Sequence, residues 1–144
     1  MESEASPHLQ TASISQLKRV CRHHLHALWN HPADARSIAP IMVWGPPGVG
    51  KSQAFRQVCA EDKIGFLDVR LAQREPVDIR GLPVPQGDHV TWLISGEWPR
   101  EGRGIILFDE LTSADRSLQV AAYEFLLDRR LGDLYAVPPG WYIC

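Results

Sequence analysis

Several features that would assign this sequence to a protein class are missing. Its 144 residues contain no apolar run approaching the roughly 20 residues that cross a membrane. The acidic amino terminus has no apolar segment of the kind that a signal peptide requires. The formal net charge of −2 provides no basic excess, so we expect neither a membrane nor a nucleic acid as partner. A chain of this length forms at most one domain.

Cysteine is also sparse. Cys21, Cys59 and Cys144 are odd in number and lack C-x-x-C spacing, which argues against a disulfide scaffold or a zinc ribbon. We therefore expect a reducing compartment, the cytoplasm. His23 and His26 share a predicted helix face, but H-x-x-H alone is a weak metal signal. A solvated or half-buried helix face is the preferred interpretation, and a metal site is the alternative.

The most informative feature that is present is a glycine-rich motif at residues 45–52, G-x-x-x-x-G-K-[ST]. Typical residue frequencies give such a match by chance in about one in two hundred chains of this length. The apolar residues 41–44 before it predict a buried strand. A helical spacing of apolar residues follows it, at Ala54, Phe55, Val58 and Cys59. Strand, loop and helix in this order are the context of a phosphate-binding loop.

The chemistry of polyphosphate explains this motif. Unpaired N–H groups at a helix N-terminus attract anions, and glycine lets the backbone approach the oxygens closely. Pro46 and Pro47 have no N–H, so the donors must come from residues 48–52. We expect Lys51 to reach the β- and γ-phosphates of ATP and the Ser52 hydroxyl to bind Mg²⁺. The predicted nucleotide-binding residues are Gly45, Pro46, Pro47, Gly48, Val49, Gly50, Lys51, Ser52, Gln53 and Asp109.

A second motif lies at residues 104–110, an apolar strand that ends in Asp109 and Glu110. A strand that is apolar throughout is typical of a parallel sheet covered on both faces, and ligands bind at the carboxyl ends of such strands. Asp109 is the predicted metal-supporting carboxylate, with Ser52 as the other metal ligand. Glu110 is predicted to activate the attacking water, so that Lys51 and Glu110 are the candidate catalytic residues. A solvated acidic turn is the alternative.

Other segments have recognisable local signals. Ser13 and Gln16 form a capping box that begins a helix ending near Trp29. Residues 66–69 predict a strand, and residues 82–84 and 90–94 predict a hairpin inserted in the α/β core.

The last third of the chain predicts one more helix and one more strand. Ser113 is the predicted cap of the helix, and Arg129 and Arg130 are cations suited to its C-terminal end. Residues 141–144 predict a final strand. A chain that stops within an apolar strand is expected to be a fragment, because a terminal charge beside a core is costly.

From residue 38 to residue 144 the chain resembles the AAA+ ATPases, and within them the MoxR-like group. The segments that carry the resemblance are residues 45–52, 75–81 with the following hairpin, 104–110, 111–115 and the turn at 138–140. The resemblance implies a P-loop core with a parallel sheet flanked by helices and an inserted β-hairpin. Residues 1–12 would be a flexible N-terminus, and residues 13–144 would form a partial core.

The same resemblance implies Mg²⁺-dependent ATP hydrolysis by a ring, usually a hexamer, that remodels a partner protein. That partner often has a von Willebrand factor A domain. By resemblance, Lys51 and Ser52 bind phosphates and Mg²⁺, Asp109 supports the metal, and Glu110 activates water.

Three family elements would lie beyond Cys144: the sensor 1 asparagine, the arginine finger and the helical lid. Losing an arginine finger costs about 10³–10⁵ in rate, so we expect this chain alone to bind ATP weakly and barely hydrolyse it. Two alternatives stay open. One is a nucleotide-gated binding module with little hydrolysis. The other is a DNA-handling AAA+ protein, which the lack of a basic stripe disfavours.

Overall fold

A computed structural model describes residues 13–44, 50–132 and 134–144. The described helices of at least one α-turn are α1 (Ile14–Asn30), α2 (Lys51–Asp62), α3 (Pro76–Arg80) and α4 (Arg116–Asp128). The described strands are β1 (Gly65–Arg70), β2 (Leu82–Gln86), β3 (His89–Leu93), β4 (Gly104–Asp109), β5 (Arg130–Leu131), β6 (Tyr135–Ala136) and β7 (Trp141–Ile143).

The described residues form a parallel sheet of three strands in the order β1-β4-β7. Gly65 pairs with Gly104 on one side of β4, and Gly104 pairs with Trp141 on the other. The α/β class with a parallel sheet flanked by helices is therefore confirmed. The predicted hairpin is also confirmed, because β2 and β3 pair antiparallel around a turn at residues 87–88.

Central strand β4 is buried on both faces, as its apolar sequence predicts. Ile105 and Leu107 point to one core cluster, which they share with buried residues of α1 and α2. Ile106 and Phe108 point to the other, which they share with the inner face of α4. At about 25 cal/mol per Å² of apolar surface, each fully buried side chain of this size contributes about 1.5–3 kcal/mol before the cost of ordering it.

Close packing beneath this sheet depends on glycine. A Cβ added to Gly104 would lie 2.5 Å from the carbonyl oxygen of Gly65 and 2.5 Å from the Trp141 ring. The paired residues Gly65 and Gly104 therefore need to be glycine, because the Trp141 indole occupies the space where their side chains would lie.

Helix α1 begins as its capping box predicts. The Ser13 hydroxyl accepts the Gln16 N–H at 3.2 Å, and the Gln16 side chain accepts the Ser13 N–H at 2.8 Å. A 3-10 helix over Pro32–Ser37 follows α1. Within the described ranges, no helix has both the length and the apolar content needed to cross a membrane.

The predicted strand at residues 41–44 is wrong. These described residues have no strand pairing, and Trp44 keeps 63% of its surface exposed. The neighbouring β7 spans only three residues, and preceding Pro40 has no N–H to donate. Just before this segment, the Tyr142 hydroxyl donates to the carbonyl oxygen of Ala39 at 2.7 Å.

The predicted cap of the last helix is also wrong. Ser113 belongs to a 3-10 turn at Leu111–Ser113, and its N–H donates to the Glu110 carbonyl oxygen at 3.1 Å. Helix α4 starts after this turn with Asp115 at the cap position, where no capping bond from its side chain occurs among the described residues. The predicted apolar face is confirmed, because all five of its residues are buried: Leu118, Ala121, Ala122, Phe125 and Leu126.

Arg129 lies at the C-terminal end of α4, as its sequence position predicts, but its side chain does not face solvent. It is only 8% exposed, and its guanidinium turns inward to two main-chain carbonyl oxygens that precede or begin β7. The helix end is closed by the backbone, because the Arg129 N–H donates to the Phe125 carbonyl oxygen at 3.0 Å. Arg130 is exposed and begins β5.

Candidate active site

A cavity of about 790 Å³, which we call the strand-edge cleft, opens beside the carboxyl end of β4. The first residues of α2 line one side and the residues that end β4 line another. The predicted site residues among its lining are Gly50, Lys51, Ser52, Gln53, Asp109 and Glu110. The fold therefore brings together two segments that lie more than fifty residues apart in the sequence.

The N-terminus of α2 meets the cleft through Gly50. This residue has φ 84° and ψ 22°, a left-handed conformation that costs glycine little and other residues more. Its carbonyl oxygen accepts the Ala54 N–H at 3.0 Å, the first α-helical bond of α2. The first N–H groups of an α-helix have no acceptor within the helix itself, and this end carries the positive end of the helix dipole. Lys51 and Ser52 are both half-buried at this end.

The acidic end of β4 has a tight local geometry. Asp109 is half-buried, and its Oδ1 accepts the Glu110 N–H at 2.9 Å. Its Oδ2 makes no hydrogen bond within the described part of the chain. Glu110 is exposed and adopts φ 61° and ψ 34°, which is a strained conformation for a residue with a Cβ. The Asp109 carboxylate is thus held by a main-chain N–H, whereas Glu110 is exposed and has a strained backbone conformation.

The turn after Glu110 is braced from α4. The Gln119 side-chain amide donates to the Leu111 carbonyl oxygen at 3.0 Å, across eight residues of sequence. Leu111, Thr112 and Ser113 line the same cleft. The position of the acidic pair is therefore fixed on one side by β4 and on the other by α4.

Sequence reasoning missed an apolar wall of the strand-edge cleft. The wall consists of the exposed side chains of Met42, Trp44, Tyr123 and Leu127. Two of these four residues could have been found from the sequence. Tyr123 and Leu127 are apolar residues one turn apart on α4, and they lie outside the face of the helix that packs into the core. Trp44 and Met42 were missed because their segment was predicted to be a buried strand.

Some predicted residues fall elsewhere. Gly45, Pro46, Pro47, Gly48 and Val49 lie outside the described residues. On α1, His23 and His26 are exposed, whereas His24 is half-buried. The Nδ1 atom of His24 lies 3.2 Å from the hydroxyl oxygen of Tyr142. Burial lowers the pKa of His24, and neighbouring His23 acts in the same direction. Among the described residues, no three His, Cys, Asp or Glu side chains are grouped as a metal site would require.

Comparison with known proteins gives no relative: no protein-family model, no curated protein and no solved structure matches this chain. The class of protein is therefore defined by the fold and the cleft. It is an α/β protein with a parallel sheet flanked by helices, an arrangement compatible with a P-loop-like core.

Proposed function

We propose that this chain binds ATP with Mg²⁺ in the strand-edge cleft and, on its own, hydrolyses it slowly. One observation carries the proposal: the N-terminus of α2, with Lys51 and Ser52, lines the same cavity as Asp109 and Glu110. Amides at a helix N-terminus suit phosphate oxygens, and carboxylates at a strand end suit a metal ion and a water. The cavity volume of about 790 Å³ is in the range of small-molecule sites.

The residues of the cleft fit Mg²⁺. The Ser52 hydroxyl and the Asp109 carboxylate are hard oxygen donors, and Oδ2 of Asp109 has no hydrogen-bond partner among the described residues. Mg²⁺ is commonly bound by one or two carboxylates together with substrate phosphates, which is the set available here. When bound, Mg²⁺ neutralises charge on the β- and γ-phosphate oxygens.

Each residue then has a distinct task. The Lys51 ammonium and the first amides of α2 would hold the phosphates in place, and the Asp109 carboxylate would help to hold the metal. The Glu110 carboxylate, exposed to solvent in the cleft, accepts a proton from the attacking water. The exposed Trp44 and Tyr123 rings offer apolar faces on which an adenine can stack.

The finer part of the proposal depends on the resemblance. In it, the chain is the partial core of a MoxR-like AAA+ ATPase whose hydrolysis drives remodelling of a partner protein. The full assembly is a hexameric ring in the cytoplasm, beside a partner with a von Willebrand factor A domain. The three described thiols are free and buried, which suits a reducing compartment.

A binding experiment tests the proposal. Titration of the chain with a fluorescent ATP analogue and Mg²⁺ should give saturable binding, and Lys51→Gln should weaken it by about ten- to hundredfold. That range corresponds to one hydrogen bond to a charged group, about 1.5–3 kcal/mol. Lys63→Gln is the matched control, because Lys63 is an exposed lysine at the opposite end of α2.

Two results would contradict the proposal. One is unchanged affinity in the Lys51→Gln variant, with circular dichroism and unfolding confirming that the variant is folded. The other is an equal loss in the Lys63→Gln variant, which would indicate that any positive charge on α2 serves equally well.

A further inference from the structure

The side chain of Arg129 is a buried cation with an unusual set of partners. It is 8% exposed, and its Nη2 donates to the carbonyl oxygens of Pro138 at 3.1 Å and Trp141 at 2.7 Å. No carboxylate lies within ion-pair distance of it in the part of the chain that the structure describes. Buried charges in proteins are generally paired, because removing a charge from water is expensive.

Much of the hydrogen-bonding capacity of this guanidinium is unused. A guanidinium has five N–H groups, and both bonds given above start from one nitrogen. The N–H groups on Nε and Nη1 have no hydrogen-bond acceptor among the described residues. Burial lowers the pKa of Arg129, with Tyr135 and Tyr142 acting in the opposite direction, and no carboxylate contributes.

Arg129 borders a second cavity, of about 210 Å³, which we call the arginine pocket. The pocket lies between the segment that follows α1 and the C-terminal end of α4. Arg36 and Ser37 line it from the first of these, and Tyr142 lines it from β7. Its described lining contains two arginines and no acidic side chain.

We propose that the arginine pocket binds a small oxyanion of the size of inorganic phosphate. A guanidinium offers paired N–H donors that match two oxygens of such an anion, and a nearby hydroxyl such as Ser37 can supply another donor. The pocket volume is below the usual range for drug-sized ligands, which favours a small ion over a nucleotide. The anion would provide the charge partner that Arg129 lacks.

This site is separate from the strand-edge cleft. The two cavities share the apolar residues Leu126 and Leu127 and the residue Pro40, but neither Lys51 nor Asp109 borders the arginine pocket. Phosphate binding in the arginine pocket therefore does not require ATP binding in the cleft. A test of the arginine pocket therefore uses a variant in which phosphate binding by the strand-edge cleft is weakened.

Calorimetric titration of inorganic phosphate into the Lys51→Gln variant, at constant ionic strength set with chloride, tests the proposal. One equivalent should bind saturably. When Arg129→Lys is combined with Lys51→Gln, the positive charge is kept but the paired N–H donors of the guanidinium are lost. Phosphate binding should then weaken by about tenfold or more. Adding Arg36→Gln should weaken it as well, and this exposed residue can be replaced without disturbing the core. Arg19→Gln, an exposed arginine of α1 that lines neither cavity, is the control and should have no effect.

Three outcomes would overturn the proposal. The first is no saturable phosphate binding by the Lys51→Gln variant. The second is equal weakening by Arg19→Gln, which would indicate non-specific charge screening. The third is a dimer in phosphate-free buffer that depends on Arg129, since the occupant would then be a carboxylate of a second copy of this chain.

Discussion

Replacement of Glu110 by glycine should make the protein more stable and abolish ATP hydrolysis. Glu110 has φ 61° and ψ 34°, in the left-handed region, where an L-residue is disfavoured by about 1–2 kcal/mol. Its carboxylate makes no hydrogen bond among the described residues, so removing the side chain breaks no contact of that kind. The two main-chain bonds of this residue, to Asp109 Oδ1 and from Ser113 N–H, are available to glycine as well.

The expected gain follows from two opposing effects. Glycine relieves the left-handed strain, but it loses about 0.5–1 kcal/mol more than another residue when its backbone is ordered. The net stabilisation is about 0.5–1 kcal/mol, which corresponds to an increase in Tm of about 1–4 °C for a chain of this size. Calorimetry measures the gain, and single-turnover assays with labelled ATP measure hydrolysis. ATP binding should persist, because Lys51 and the α2 amides are unchanged.

Lys63→Gly is the matched control for strain. Lys63 is also left-handed, with φ 55° and ψ 45°, and it is exposed at the end of α2 away from the cleft. It should gain a similar stability and keep the hydrolysis rate of the unmodified protein. The reasoning would be refuted if Glu110→Gly lowered Tm, or if it hydrolysed ATP at the original rate.

Two further predictions concern the core. Gly104→Ala should lower the free energy of unfolding by about 1–3 kcal/mol in urea titrations, because its Cβ would lie 2.5 Å from the Gly65 carbonyl oxygen; Gly96→Ala, in open space, should cost far less. Burial raises the pKa of Cys21 and Cys59 to about 12 in the folded protein. Because these thiols ionise at lower pH in the unfolded chain, the free energy of unfolding should fall as the pH rises from about 9 to about 12. A Cys21→Ala, Cys59→Ala double variant that loses as much stability over that range would contradict this.

The parts of the fold that follow from the sequence are those fixed by local chemistry. The Ser13–Gln16 capping box is predictable because both partners lie within one turn of α1. The burial of β4 is predictable because every position from Gly104 to Phe108 is small or apolar. The hairpin is predictable because a turn sequence separates two short apolar strands.

The parts that could not be predicted depend on long-range partners. Residues 41–44 are as apolar as a buried strand, but their neighbour β7 is three residues long and the pairing does not form among the described residues. Arg129 has the sequence position of a cation at a helix C-terminus, and only the fold shows that its side chain reaches the carbonyl oxygens of Pro138 and Trp141. Spacing along one element gives no information about groups that arrive from another.

The candidate site was predictable in composition but not in shape. Lys51, Ser52, Asp109 and Glu110 are identified by motif, and the rule that parallel strands end at a common edge predicts that they meet. The apolar wall was not predicted, because it combines a segment before α2 with the outer face of α4. The side of the cleft proposed to bind phosphates is encoded by local motifs, whereas the apolar side proposed to contact a base depends on tertiary packing.

Backbone geometry gives an independent argument that Glu110 serves the cleft. Three residues other than glycine have positive φ among the described residues: Lys63, Glu110 and Arg129. Lys63 and Arg129 end α2 and α4, where a left-handed residue is the ordinary way for a helix to terminate. Glu110 lies between the end of β4 and a 3-10 turn, a position where glycine or asparagine would relieve the strain. Across the cleft, Gly50 meets the same conformational demand with glycine. A strained carboxylate at the edge of the cleft supports the proposal that Glu110 acts there, because backbone strain of this kind clusters at functional sites.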